Sequence, residues 1–252
     1  MLSRTANHLF WMARYIERAE NMARILDVTA NMAMVPNAAL SEAALWQPAL
    51  EISGNAESFR QRFDDYTASN VIHFLAMDPE NPSSIYSALY SARENARAVR
   101  VAMTSETWEN INALWLEFSQ FEGKNLAEEG LREFCDWVKA RSHLFRGVSF
   151  GTMLRDDAFQ FLRLGTFIER ADNTARLLDV KYHLLLPQEE ETLTVRATRD
   201  ALSKIEANRL VLEETPVAIE DIMANVAAML APSAELSLLF FFAGLALAEP
   251  GP

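Results

Sequence analysis

Cysteine and glycine are scarce in this sequence, and each shortage excludes a class of protein. The only cysteine, Cys135, excludes an internal disulfide and a multi-cysteine metal site, and it fits a reducing cytoplasm. The nearby Phe134 and Trp137 predict that this thiol is buried and behaves as a small hydrophobic side chain. Only eight glycines occur and alternating runs of β-branched residues are missing, which excludes a strand-rich fold.

Positive charge and long apolar runs are also lacking. The formal net charge is −12, and without basic clusters the sequence is unlike a nucleic-acid-binding protein. The most apolar stretch, residues 236–248, is shorter than the roughly 20 residues that a membrane-spanning helix needs. Near the N-terminus, Arg14, Glu17 and Arg18 interrupt the apolar residues, which excludes a signal peptide. We therefore expect a soluble, cytoplasmic protein that binds neither nucleic acid nor membrane.

Apolar residues recur throughout the chain at spacings of three and four, which is the pattern of amphipathic helices. The first predicted helix extends from about Ser3, as its N-cap, to about Met34, with Pro36 beyond its end. We predict an all-α fold, a single helical bundle. The face of the first helix that should be buried consists of Leu9, Met12, Ile16, Ala19, Ala23 and Leu26.

The remaining helices are predicted from turn signals and periodicity. Residues 40–70 form a less regular region that is broken by Pro48 and Gly54. The turn at residues 76–84 ends with Ser83 or Ser84, either of which can cap the next helix. The glycines of segment 147–151 are expected to end a later helix. Further helices are predicted at 106–121, 127–145, 155–185, 189–213 and 217–230.

One charged, predicted helical segment occurs twice in the sequence in closely similar form. "YIERAENMARILDV" covers residues 15–28, and "FIERADNTARLLDV" covers residues 167–180. The bundle is therefore predicted to contain an internal pseudo-repeat with two equivalent Glu-Arg helices. Positions three and four apart share a helix face, so Arg14 could pair with Glu17, and Glu20–Arg24 and Asp172–Arg176 are further acid–base pairs. The predicted polar seam, either binding or structural, consists of Arg14, Glu17, Arg18, Asn21, Arg24, Glu169, Arg170, Asn173 and Arg176.

Three interpretations of this polar seam are open. In the first, the two helices cross and the Glu of one bonds the Arg of the other, which sets the packing register. In the second, Arg24 and Arg176 hold a carboxylate or phosphate in a groove, where Glu17 and Glu169 orient them. In the third, the side chains form solvated salt bridges that contribute little to stability.

No metal or catalytic motif is recognisable. A carboxylate-bridged di-iron site in a helical bundle uses Glu-x-x-His, and no histidine of this chain has Glu three positions before it. The glycine-rich phosphate-binding motifs and the nucleophile-elbow motif are absent as well. We therefore predict no metal and no cofactor, and the sequence leaves both the catalytic residues and the question of enzyme activity open.

Four segments in order resemble the bacterial alpha-E domain family: "MLSRTANHLFWMARYIERAENMARILDV", "DPENPSSIYSALYSARENARAVR", "SETWENINALW" and "GTMLRDDAFQFLRLGTFIERADNTARLLDVKYHLLL". The resemblance covers residues 1–186 and implies an all-helical fold. It also implies association with ATP-grasp, carboxylate–amine ligase-like proteins and with transglutaminase-like proteins that make or modify peptides. By the same resemblance, the family's Glu-Arg motif falls on Glu17–Arg18 and Glu169–Arg170, with Asn21, Arg24, Asn173 and Arg176 downstream.

The C-terminal part departs from the family pattern. We expect an alpha-E-like helical domain at residues 1–186 and an atypical helical extension at residues 187–252, packed on the same bundle. No Lys or Arg follows Arg209, and the second half has no counterpart of the turn at residues 78–84. A frameshift, a truncation or a lineage-specific replacement would each explain this ending. The apolar run at residues 238–247 is expected to seek a partner, such as a second copy of the chain.

Three functions remain in view. The first is an accessory helical protein that works with an ATP-grasp ligase-like protein and a transglutaminase-like protein in peptide synthesis or modification. The second is an enzyme that acts on an acidic or peptidic substrate in a Glu/Asn/Arg groove. The third is a purely structural, dimer-forming bundle.

Overall fold

The computed structural model describes residues 1–34, 41–127 and 130–185, with side chains as far as residue 178, and every regular element among them is helical. The predicted all-α fold is confirmed. No helix in this described part is long and apolar enough to cross a membrane. A π-helical turn covers His73–Met77, and the α-helices are α1 Ser3–Ala33, α2 Glu42–Ile52, α3 Ala56–Arg60, α4 Ala68–Ile72, α5 Ile85–Ala98, α6 Ser105–Phe118, α7 Leu131–Thr152 and α8 Asp157–Leu185.

The chain divides into two compact units, residues 1–170 and residues 171–252. The first contains α1 to α7 and the start of α8, and residues 171–185 continue α8 in the second. The predicted domain boundary at residue 186 remains a prediction. The internal pseudo-repeat also remains a prediction, and the second copy of the repeated segment is split between the two units. The helices predicted at 189–213 and 217–230 and the apolar run at 238–247 lie outside the described residues.

Helix α1 is the centre of the first unit, where it packs against α2, α5 and α7. The predicted apolar face of α1 is buried over its whole length, with every one of its six side chains at most 2% exposed. The predicted N-cap is wrong by one residue. Leu2 occupies that position with extended backbone, whereas Ser3 is already helical and its hydroxyl makes no capping hydrogen bond.

The turn before α5 is formed as predicted, with Ser84 as the cap. The Ser84 hydroxyl accepts a hydrogen bond from the Ser87 amide at 3.1 Å and donates one to the carbonyl of Asp78 at 2.7 Å. The Asp78 carboxylate is buried, and Arg62 pairs with it. These bonds satisfy backbone groups at a helix end that would otherwise lack partners.

The helices differ from the predictions in two places. The region expected to be irregular contains α2, α3 and α4, and Pro48 lies inside α2. Helix α7 begins at Leu131, later than predicted, because Gly130 has a φ of 90°. It continues through Gly147 to Thr152, since packing of one buried face overrides the weak helix propensity of an exposed glycine.

Helices α1 and α8 approach each other closely at Gly165. A Cβ atom at this position would lie 2.2 Å from the carbonyl oxygen of Phe10 and 3.2 Å from the Cβ of Ala13. Only glycine allows the two backbones to come this near. The Glu-Arg dipeptide of α8 follows one turn later, and the close approach therefore brings it within reach of the dipeptide of α1.

Candidate functional site

Three buried glutamates form the centre of a large ion-pair cluster in the first unit. Glu17 and Glu20 on α1 are each 3% exposed, and Glu169 on α8 is 5% exposed. A carboxylate is buried at such depth only when cations and hydrogen bonds replace its water. We call the whole set the ER cluster: Arg14, Glu17, Arg18, Glu20, Arg24, His143, Arg146, Glu169 and Arg170.

The two Glu-Arg dipeptides bond each other across the α1–α8 crossing. Arg170 donates from Nε to Glu17 Oε1 at 2.8 Å and from Nη2 to Oε2 at 3.1 Å. Arg18 donates from Nε to Glu169 Oε1 at 2.6 Å and from Nη2 to Oε2 at 3.1 Å. Both pairs use the same bidentate fork, which is the strongest geometry for a guanidinium and a carboxylate. Each dipeptide therefore gives one acceptor and one donor to the other.

Arg14 joins the same crossing but not through the partner predicted for it. Its Nε donates to Glu169 Oε2 at 2.6 Å, and its guanidinium lies 4.7 Å from the ring centroid of Trp11. The predicted pair with Glu17 is wrong, because the Arg14 guanidinium bonds Glu169 on α8 instead, while Glu17 accepts hydrogen bonds from Arg146 and Arg170.

Arg146 connects α7 to two carboxylates of α1. Its Nη1 donates to Glu17 Oε2 at 2.8 Å and to Glu20 Oε2 at 2.5 Å, and it also donates to the Ser142 hydroxyl at 3.2 Å. One guanidinium thus contacts both glutamates that face α7. Through Glu17, which is shared by Arg146 and Arg170, the α1–α7 and α1–α8 contacts become one network.

Glu20 is held strongly in its charged form. Burial by itself would raise the pKa of this carboxyl, but hydrogen bonds from Arg146 and Ser142, the charge of Arg146 and a hydrogen bond from Arg24 outweigh that effect. Together they lower the pKa of Glu20 from 4.5 to about 2. The predicted pair with Arg24 is confirmed at 2.7 Å, and the His143 ring nitrogen lies 3.3 Å from Glu20 Oε1.

The contact between α1 and α7 continues beyond the ER cluster. Lys139 donates to Asp27 Oδ2 at 2.8 Å, and hydrogen bonds to Asp136 and Asp27 raise the pKa of its ammonium group. Sequence reasoning missed this row of basic side chains on α7. Its signal was the spacing of Lys139, His143 and Arg146, which places three basic side chains on one helix face.

The downstream residues of the predicted polar seam are less involved. Arg24 is half exposed and bonds Glu20 within its own helix. Asn21 is partly buried, and its Nδ2 has no hydrogen-bond partner among the described residues. Asn173 and Arg176 belong to the second unit, where the predicted pair of Arg176 with Asp172 is confirmed at 2.9 Å.

The chemistry of the ER cluster follows from its charges. Five guanidiniums surround three carboxylates, and each carboxylate is engaged by at least two cations. A carboxylate such as Glu20, with a pKa of about 2, is a poor proton acceptor at neutral pH. The cluster is suited to holding helices together and, through its excess of positive charge, to attracting anions. Among the described residues, no group of three or more potential metal ligands is present.

Comparison with known proteins places this sequence in a family. A family model named Alpha-E, described as a predicted alpha-helical domain with a conserved ER motif, matches residues 1–218. The chain belongs to the Alpha-E family. The dipeptides Glu17–Arg18 and Glu169–Arg170 are its occurrences of the sequence Glu-Arg.

The curated relatives are mycobacterial and much longer. An uncharacterized protein of Mycobacterium bovis is 26% identical over 215 residues, which cover 77% of this chain and 24% of the relative. Uncharacterized proteins from two strains of Mycobacterium tuberculosis show the same identity and coverage. The chain therefore spans about a quarter of the length of these relatives. No solved structure matches the chain.

Proposed function

We propose that this chain is an accessory helical domain that works with an ATP-grasp carboxylate–amine ligase-like protein and a transglutaminase-like protein. The joint process is the synthesis or modification of peptides in the cytoplasm. The observation that carries the proposal is the ER cluster, in which the two copies of the family motif bond each other through Glu17–Arg170 and Arg18–Glu169. A motif used in this way supports a structural task for the domain.

The energetics of the crossed pairs indicate that the pairs Glu17–Arg170 and Arg18–Glu169 hold α1 against α8, and we call these two pairs the lock. Removing one partner of a buried ion pair typically costs about 3–5 kcal/mol, because the other charge is left buried. Glu17 and Glu169 are buried to this degree, while Arg18 and Arg170 reach the surface with about a quarter of each side chain. The lock fixes the helix register, and a defined register gives a partner protein a constant surface to bind.

The size of the relatives also supports an accessory task. The matched region makes up 24% of the mycobacterial relatives, so a region similar to this chain occurs as one part of longer proteins.

A second candidate is an enzyme for an acidic or peptidic substrate, and one feature of the ER cluster favours it. The five arginines exceed the three glutamates by two charges, and Arg14 and Arg146 have 18% and 29% of their side chains exposed. Neither of these two arginines uses all its donors within the described residues. An anionic group could bind such donors from the solvent side.

Co-expression with the ligase-like and transglutaminase-like proteins of the same organism tests the first candidate. We expect the tagged chain to retain the ligase-like protein during purification and to accelerate ATP-dependent peptide formation. The variant Arg132→Gln, which changes an exposed side chain of α7 outside the ER cluster, should behave like the parent chain in both measurements. If the chain neither retains the ligase-like protein nor changes the rate of peptide formation, that result contradicts the proposal. Turnover of an acidic peptide by the chain alone would favour the second candidate.

A further inference from the structure

An open pocket of about 540 Å³ lies in the first unit, on residues that do not belong to the ER cluster. Its volume is within the range of 300–1,000 Å³ that is typical of small-molecule sites. One wall comes from α4 and the π-helical turn, and another from the loop that follows α6. The polar groups that matter for its chemistry belong to His73, Tyr86, Glu122, Lys124 and Asn125.

The π-helical turn His73–Met77 shapes one side of this pocket. Phe74, Leu75 and Ala76 are buried in the core, while His73 is left exposed at the pocket wall. The amide of Asp78 closes the turn by donating to the carbonyl of His73 at 3.1 Å. A π-helical turn is uncommon and often accompanies a functional site, because it redirects side chains that a regular helix would place elsewhere.

The loop at residues 122–127 shapes the opposite side. Gly123 has a φ of 77°, a conformation that other residues rarely adopt, and it separates Glu122 from Lys124. Both charged side chains are exposed, and Lys124 Nζ lies 5.1 Å from the ring centroid of Phe121. Glu122 and Lys124 do not form an ion pair with each other or with any other described residue.

Four polar groups of the pocket form no hydrogen bond or ion pair within the described part of the chain. The His73 imidazole, the Tyr86 hydroxyl, the Glu122 carboxylate and the Lys124 ammonium make no hydrogen bond there. Elsewhere in this unit, buried carboxylates are paired with arginines, as in the ER cluster and at Arg62 and Asp78. Convergent polar groups that remain available within a pocket are the usual sign of a ligand site.

We infer that this pocket binds a small zwitterion, namely an amino acid or a dipeptide. Lys124 attracts the carboxylate of such a ligand, Glu122 attracts its ammonium group, and His73 and Tyr86 add hydrogen bonds. Half-buried Met77 and buried Ile72 provide an apolar floor for a side chain. The inference depends on this pocket alone and does not require the partners proposed above.

Calorimetry of the purified chain with L-alanyl-L-alanine tests this inference directly. We expect saturable binding that is lost when the dipeptide is N-acetylated and also when its carboxyl group is amidated. The variants Lys124→Met and Glu122→Gln should each weaken binding about tenfold or more, because each removes one charge-assisted hydrogen bond. Both side chains are exposed, so these variants should keep the thermal stability of the parent protein.

The control variant is Arg132→Gln, whose side chain is 85% exposed on α7 and does not line the pocket. It should bind the dipeptide as the parent protein does. Absence of saturable binding would overturn the inference, and so would binding that both pocket variants leave unchanged. Binding that needs only one of the two ligand charges would overturn the zwitterion assignment. Intrinsic tryptophan fluorescence, to which Trp115 contributes with its ring 5.4 Å from that of Tyr86, gives an independent titration signal.

Discussion

Replacing Glu20 with glutamine removes one charge from the ER cluster while keeping the size of the side chain. In the folded protein the pKa of Glu20 is about 2, compared with an ordinary value of 4.5. Each tenfold difference in proton affinity corresponds to about 1.36 kcal/mol. The ionised carboxylate therefore contributes about 3 kcal/mol to the free energy of unfolding at pH 7, which Glu20→Gln should lose.

The pH dependence of this loss has a definite sign. Because the pKa of Glu20 is lowered by folding, its contribution is complete above about pH 4.5 and disappears as the pH falls towards 2. The difference in unfolding free energy between the parent protein and Glu20→Gln should thus decrease from about 3 kcal/mol at pH 7 to about 2 kcal/mol at pH 3.5.

Urea unfolding followed by circular dichroism at several pH values measures this difference. Urea is preferred to guanidinium chloride because a salt would screen the ion pairs. Glu57→Gln, which changes an exposed glutamate of α3, should unfold like the parent protein at every pH. Equal stabilities of Glu20→Gln and the parent at pH 7, or a difference that does not change with pH, would refute the reasoning.

Three further substitutions and one reagent test the packing. Gly165→Ala should destabilise the protein by about 1–3 kcal/mol, since the new Cβ would meet the Phe10 carbonyl. Gly147→Ala has open space around the new Cβ and should stabilise α7 by about 0.5–1 kcal/mol. Chemical denaturation measures both changes. Burial raises the pKa of the Cys135 thiol to about 12. A disulfide reagent at pH 8 should therefore react with this thiol only after the protein unfolds. Rapid reaction with the folded protein would contradict the burial of Cys135. Arg176→Ala should change stability by only about 0–1 kcal/mol, because this exposed side chain pairs within its own helix; a larger loss in thermal melts would assign Arg176 to the lock.

Local sequence patterns predicted much of the fold because local interactions decide those features. The spacing of apolar residues gave the buried face of α1, and the turn chemistry around Ser84 gave the start of α5. The same reasoning failed where tertiary packing overrides propensity. Pro48 and Gly147 read as helix breakers, yet both lie inside helices that are held by their buried faces.

The candidate site was predictable only in part, because its contacts are non-local. The repeated segment pointed to Glu17, Arg18, Glu169 and Arg170, which the structure brings together. Nothing in that repeat indicates Arg146, which comes from a different helix and contacts Glu17 and Glu20. Pairing within one helix can be read from a spacing of four, whereas pairing between helices depends on how they cross.

A double-mutant cycle on Glu17 and Arg170 tests the lock most directly. The free energies of unfolding of Glu17→Gln, Arg170→Gln and the double variant give the coupling energy of the pair without the other effects of each substitution. The exposed pair of Arg132 and Asp136, at 4.0 Å, supplies a control cycle that should show no measurable coupling. We predict a coupling of about 1–3 kcal/mol between Glu17 and Arg170. A coupling no larger than that of the control pair would contradict the claim that the two copies of the motif fasten α1 to α8.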